Sequence, residues 1–278
     1  MARLLTALAP LAVLLSCSLP GATPARAFSL DFKADQSFRY QVHVTVSGNL
    51  ASTAGSLPVN SDQTVTETVK VVQVKPDGTA TLGVEVAPAQ GQKRSYQIEV
   101  ARDGRILTGG DDAVSSRTPT VPGSDQLTPL LPQGKVHQGD TWSGNYSRPN
   151  PFGSGSLSFA YTSKYLRDEK VGSYDTSLIE TRIHGPLVFD IDLAKLFSAT
   201  GQAAPPSIPP GAKIHYSGSL DTTADYWLDS ASRQVVKETQ KGTYSLTYDL
   251  ANLPPGQGIG TGKISFQGSI DSDLRRLS

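Results

Sequence analysis

The chain has 278 residues with 25 basic and 25 acidic side chains, so its formal net charge is zero. A nucleic-acid-binding domain carries a basic excess on one face, and this composition excludes that class. Glycine (26) and proline (19) are plentiful, and the single cysteine is Cys17, which excludes internal disulfides and cysteine-ligated zinc.

The first residues read as an export signal. Arg3 gives a positive start, Leu4 to Leu15 form an apolar run broken by Thr6 and Pro10, and Ala25-Arg26-Ala27 places small residues at −3 and −1. That layout predicts a signal peptide over residues 1–27, with Phe28 first in the mature chain. The run is shorter than the roughly 20 apolar residues of a membrane span, and no later stretch approaches that length. Leu14-Leu15-Ser16-Cys17 offers a second pattern, the lipobox of bacterial lipoproteins, in which Cys17 would be lipidated and anchor the chain. Both patterns predict export to the periplasm or beyond, without a transmembrane segment.

The remainder, 28–278, reads as one antiparallel β domain. Phe38, Tyr40, Val42, Val44 and Val46 alternate with polar residues, the period of a half-buried strand. Thr64 to Val74 and Thr79 to Val86 flank Asp77-Gly78, a hairpin signal. The apolar phase slips between Val71 and Val72, which predicts a β-bulge. Tyr96, Ile98 and Val100 lead through Asp103-Gly104 to Ile106-Leu107, a second hairpin. Further strands are predicted from Leu157 to Tyr161, Tyr174 to Ile183, Ile214 to Leu228, Val235 to Tyr248 and Ile264 to Ile270. About ten strands at short spacing predict an all-β fold: a curved antiparallel sheet, half-barrel or sandwich.

One short helix is predicted, Leu193 to Ala199, capped by Asp192. In a chain of strands its Leu193, Leu196 and Phe197 are candidates for a lid or a ligand contact over the concave face. Stretches rich in Gly, Pro and Ser predict loops at 47–61, 109–124, 148–156, 199–211 and 252–262.

Catalytic motifs are missing. His43, His137, His184 and His215 show no metal-ligand spacing and read as solvated surface residues, so no metal and no cofactor is expected. No GxSxG or SxxK arrangement occurs. Gly256 to Lys263 fails the phosphate-loop pattern, since Gln257 stands at its first glycine and Ile264 follows the lysine. Glu99, Asp103, Asp111 and Asp112 keep a carboxylate pair of glycosidase type open.

The stretch from Leu130 to Trp142 reads LLPxGxVxxGDTW and resembles a segment of exported bacterial proteins of unknown function. Pro132 and Gly139-Asp140 supply turns and Trp142 a large anchor, so its role reads as structural. Ala224 to Val236, a strand, an Asp-containing turn and a returning strand, resembles elements of periplasmic lipoprotein-carrier-like proteins. That resemblance implies a half-barrel over a hydrophobic cavity; a shared architecture does not carry the function. The function expected is a non-catalytic envelope protein binding a hydrophobic small molecule or an envelope protein partner. The alternatives are a structural or assembly protein, and an extracytoplasmic carbohydrate hydrolase using paired carboxylates.

Overall fold

The computed structural model describes residues 24–89, 93–109, 126, 128–150, 156–194, 197, 206, 208–249 and 262–277. Thirteen strands follow in chain order: β1 (Arg26–Ala27), β2 (Ser37–Ser52), β3 (Gly55–Val74), β4 (Ala80–Pro88), β5 (Arg94–Val100), β6 (Ile106–Gly109), β7 (Lys135–Val136), β8 (Thr141–Pro149), β9 (Ser156–Val171), β10 (Tyr174–Asp192), β11 (Lys213–Asp229), β12 (Val235–Asp249) and β13 (Lys263–Arg276). β1 and β7 pair by themselves. The other eleven form one antiparallel sheet in the order β6-β5-β4-β3-β2-β13-β12-β11-β10-β9-β8. This curved sheet is nearly closed, a half-barrel, and the expected all-β class holds.

Alternation decides which face turns inward. On β2 the inward residues are Phe38, Tyr40, Val42, Val44 and Val46, as the pattern predicts; all but the half-buried Val44 are 7% exposed or less. The predicted slip on β3 is a register shift between Val71 and Gln73: Val71 is fully buried and Val72 points out at 49% exposure. Both predicted hairpins form, with Gly78 and Gly104 at φ of 84° and 86°, where only glycine sits without strain.

Inward side chains pack in two apolar bodies. The lower one gathers Leu30, Phe32, Phe38, Tyr40, Val71, Leu82, Ile98, Tyr226 and Leu274. The upper one gathers Val46, Leu157, Phe159, Leu187, Leu220, Tyr244 and Phe266. Polar side chains lie between: Ser163 Oγ meets Thr181 Oγ1 at 2.9 Å, and Ser272 Oγ donates to Gln240 Oε1 at 3.4 Å.

Curvature comes from glycines on the inward face. Gly48 and Gly268 are cross-strand partners, and a Cβ on Gly268 would stand 2.4 Å from the Ser47 carbonyl and 2.7 Å from the Phe266 ring. A Cβ on Gly218 would stand 1.9 Å from the Ser245 carbonyl, closer than any real contact. Glycine lets the backbones approach where the sheet bends most, and the Phe266 ring covers the gap left beside Gly48 and Gly268.

Two stretches read as strand ends or loops are strand instead. The predicted loop over 47–61 is the upper half of the β2–β3 hairpin, which turns only at Thr53-Ala54. Its Gly48 and Asn49 weaken the strand pattern but serve the bend. β10 likewise continues past His184 to Asp192 along β11, although its pairing with β9 stops at His184. Pro186, two residues on, has no N–H to give to a ladder, and it lies just past the point where the β9 pairing stops.

Candidate functional site

Among the described residues the half-barrel is filled at its base and carries partly exposed apolar side chains at its upper rim. At the base, Leu30 and Phe32 from the segment preceding β2 are buried in the lower core. Leu30 N donates to the Arg102 carbonyl at 2.8 Å, and Asp35 N to the Val71 carbonyl at 3.0 Å. Arg26 forms an ion pair with Asp168 at 2.8 Å, and Phe28 packs edge-on against Tyr165 with ring centroids 5.0 Å apart. A half-open cavity of about 210 Å³ lies beside this segment, lined by residues 26–29 and by Ser177, Asp229 and Arg233. It is too small for an acyl chain or a drug-sized ligand.

The gap between β6 and β8 is bridged from within. Gln126 is buried; its amide nitrogen donates to the carbonyls of Gly104 at 2.8 Å and Thr128 at 2.7 Å. Its oxygens accept from Tyr146 at the side chain (3.2 Å) and from Tyr226 at the backbone (2.9 Å). Leu130 and Leu131 are buried, and Leu131 N donates to the Asp103 carbonyl at 2.8 Å. Trp142 is half-buried against the lower core and its indole nitrogen donates to the Leu130 carbonyl at 2.8 Å. Gly139 takes φ of 92°; its N–H reaches the Tyr165 carbonyl at 2.7 Å, and Asp140 accepts from His137 N at 2.8 Å. The LLPxGxVxxGDTW segment thus joins the two ends of the sheet, with Pro132 following the buried leucines. Sequence spacing singles out these residues but not Gln126, whose partners lie up to 100 positions away.

At the rim, β4 ends where Pro88 meets Val65, so β3 from Gly55 to Thr64 has no described strand on its other side. Of the inward side chains above that point, Leu57 is 62% exposed, while Val59 and Leu50 are partly buried. Across the rim runs a cross-strand row of Phe189, Tyr216, Tyr248 and Ile264. Phe189 stacks on Tyr216 with centroids 4.8 Å apart, and Tyr216 meets Tyr248 edge-on at 4.3 Å. Leu193, of the predicted helix, is 4% exposed against Ile208, Ala212, Ile214 and Ile264, and its N–H donates to the Ala212 carbonyl at 3.0 Å. Leu193 and Phe197 are helical; Leu196 lies outside the described residues, as does Cys17.

Burial perturbs the tyrosines. The Tyr165 phenol is pushed up to about 12, first by burial and then by its hydrogen bond to Asp168. Burial also raises Tyr40, Tyr216 and Tyr248, with Tyr248 adding to the shift of Tyr216. Folded-state values above the unfolded value of about 10 mean that the phenols' stabilising contribution is complete below pH 10 and lost as pH rises through the folded values. The expected result is an alkaline transition near pH 11–12, with delayed tyrosine ionisation coinciding with loss of near-UV circular dichroism. Ionisation of all ten tyrosines near pH 10, before any structural change, would contradict this burial pattern.

Among the described residues Glu180 and Asp225 are cross-strand partners, and burial and then the Glu180 charge raise the Asp225 carboxyl; the acids singled out from sequence are otherwise engaged. Glu99 is bound by Lys75 at 2.6 Å and Asp103 by Arg105 at 2.8 Å, while Asp111 and Asp112 lie outside the described residues. Sequence reading missed two acids, Glu67 and Glu238, which point inward at 1% and 3% exposure and offer no surface to a substrate. They stand in phase with the apolar residues of β3 and β12, the one signal that marks them. All four histidines are exposed, each beside an aspartate: His43 with Asp62, His137 with Asp140, His184 with Asp221 and His215 with Asp190. No group of three metal-ligating side chains occurs among the described residues, and no described helix is long and apolar enough to cross a membrane. Comparison with known proteins gives no matching family model and no matching curated sequence.

Proposed function

We propose that this is an exported, non-catalytic envelope protein that holds a hydrophobic small molecule in the open upper rim of its half-barrel. One observation carries the reading. The same inward phase that is sealed lower in the sheet leaves Leu57 62% exposed and Leu50, Val59, Tyr216 and Tyr248 only partly covered. An apolar surface with an aromatic row, framed by rigid strands, favours a ligand that is itself apolar. Export rests on the N-terminal pattern of residues 1–27.

The test is equilibrium binding of an environment-sensitive hydrophobic dye and of a fluorescent fatty acid, by parent and by Leu57→Ser/Val59→Ser. Both side chains lie on the uncovered stretch of β3, so the variant should fold as the parent does. Each lost apolar contact removes about 1–2 kcal/mol, and the double variant is expected to bind at least about ten-fold more weakly. If the parent binds neither probe, or the variant binds equally well, the reading fails. The filled lower interior would then favour a structural or assembly role, with an apolar segment of an envelope partner as the rim's occupant.

A further inference from the structure

The Ala25-Arg26-Ala27 pattern predicts that Arg26 leaves with the signal peptide, yet Arg26 and Ala27 are built into the folded protein. They form β1, which pairs antiparallel with β7 in the register Arg26↔Val136 and Ala27↔Lys135. The Arg26 guanidinium grips both oxygens of Asp168, Nη1 to Oδ1 at 3.0 Å and Nη2 to Oδ2 at 2.8 Å, the planar two-point match that arginine makes with a carboxylate. Nη1 also lies 3.4 Å from Ser177 Oγ.

Asp168 is the hub of that contact. It accepts from the fully buried Tyr165 phenol at 2.6 Å and from Ser177 Oγ at 2.8 Å, so Arg26 supplies the balancing cation. Cleavage after Ala27 would remove that cation, leave β7 without its partner, and take away two of the residues that line the cavity. β7 belongs to the LLPxGxVxxGDTW segment, so the loss would fall on the stretch that joins the ends of the sheet.

We infer that the mature protein retains Arg26 and Ala27, and that export processing cuts the chain before Arg26 rather than after Ala27. The inference rests on the export reading given above. Of the two cleavage patterns in the sequence, only the one ending at Cys17 leaves Arg26 in place.

The substitution Arg26→Gln in the full, exported chain tests this without ambiguity. If Arg26 is cut away, the mature parent and variant are the same molecule, with one mass and one melting temperature. If Arg26 is retained, the intact mass of the variant shifts, and its melting temperature falls by about 1–3 °C, as fits a partly exposed ion pair in a chain of this length. Asp168→Asn should lower it similarly, and the double variant by less than the sum of the two. An exported chain whose mass begins at Phe28 overturns the inference and leaves export standing. A retained Arg26 whose substitution moves nothing overturns its place in the fold. An uncleaved chain starting at Met1 overturns export and the inference with it.

Discussion

Gly218→Val is expected to lower the melting temperature by about 6–12 °C or to prevent folding, a loss of about 3 kcal/mol or more. Gly218 is inward on β11, opposite Leu246 on β12 and Leu187 on β10. A Cβ there would stand 1.9 Å from the Ser245 carbonyl and 2.9 Å from the Leu246 Cα. Both obstacles are backbone, so no rotamer change relieves them; the β11–β12 ladder itself must move. Three neighbouring strands would lose their bend together. Gly134→Val is the control, because a Cβ at Gly134 meets nothing within 4 Å, and a surface change of this kind should stay within about 0.5 kcal/mol. Equal melting temperatures for the two variants would show that the inward glycines do not set the curvature.

Gln126→Leu should cost about 2–4 kcal/mol although it nearly preserves volume. The side chain is 1% exposed and makes polar contacts with Gly104, Thr128 and Tyr146 at once. Leucine returns none of them, and the buried carbonyls of a turn and a neighbouring segment lose their amide donor. The damage should be local before it is global. Amides bridging the two ends of the sheet, Leu131 N on the Asp103 carbonyl above all, should exchange with solvent faster than those in the middle of β11 and β12. A variant with unchanged melting temperature and unchanged exchange at Leu131 would remove Gln126 from the closure.

What the sequence discloses here follows from range. Alternation on β2, the slip beside Val72 and the Asp-Gly turns are decided within a few residues, and each appears in the structure where the pattern puts it. Gly48, Asn49 and Gly185-Pro186 mislead for a physical reason. They are poor strand formers in isolation, and they serve the sheet through a bend or an unpaired side that only the neighbouring strands define. The rim was half legible. Leu193 and Phe197 stand out as apolar residues of a short helix, whereas Leu57 and Val59 sit in a stretch that reads as loop and are uncovered only because β4 is short. Arg26 is the hardest case: as a sequence it is part of a leader, and its importance lies in a carboxylate 142 residues further on.

The uneven heights of the strands leave the two ends of the half-barrel differently supported. Below the Val65–Pro88 pair, β3 and β2 are held in a wall of strands hydrogen-bonded on both sides. Above it, among the described strands, the β2–β3 hairpin is bonded to β13 alone, through the pairs from Ser265↔Ala51 to Ile270↔Val46. The tip carrying Leu57 is therefore the least supported part of the described sheet. Pro58 also denies one N–H to a strand docking on that side. On the proposed reading, a guest would meet the less supported end, while the packed lower interior keeps the fold together.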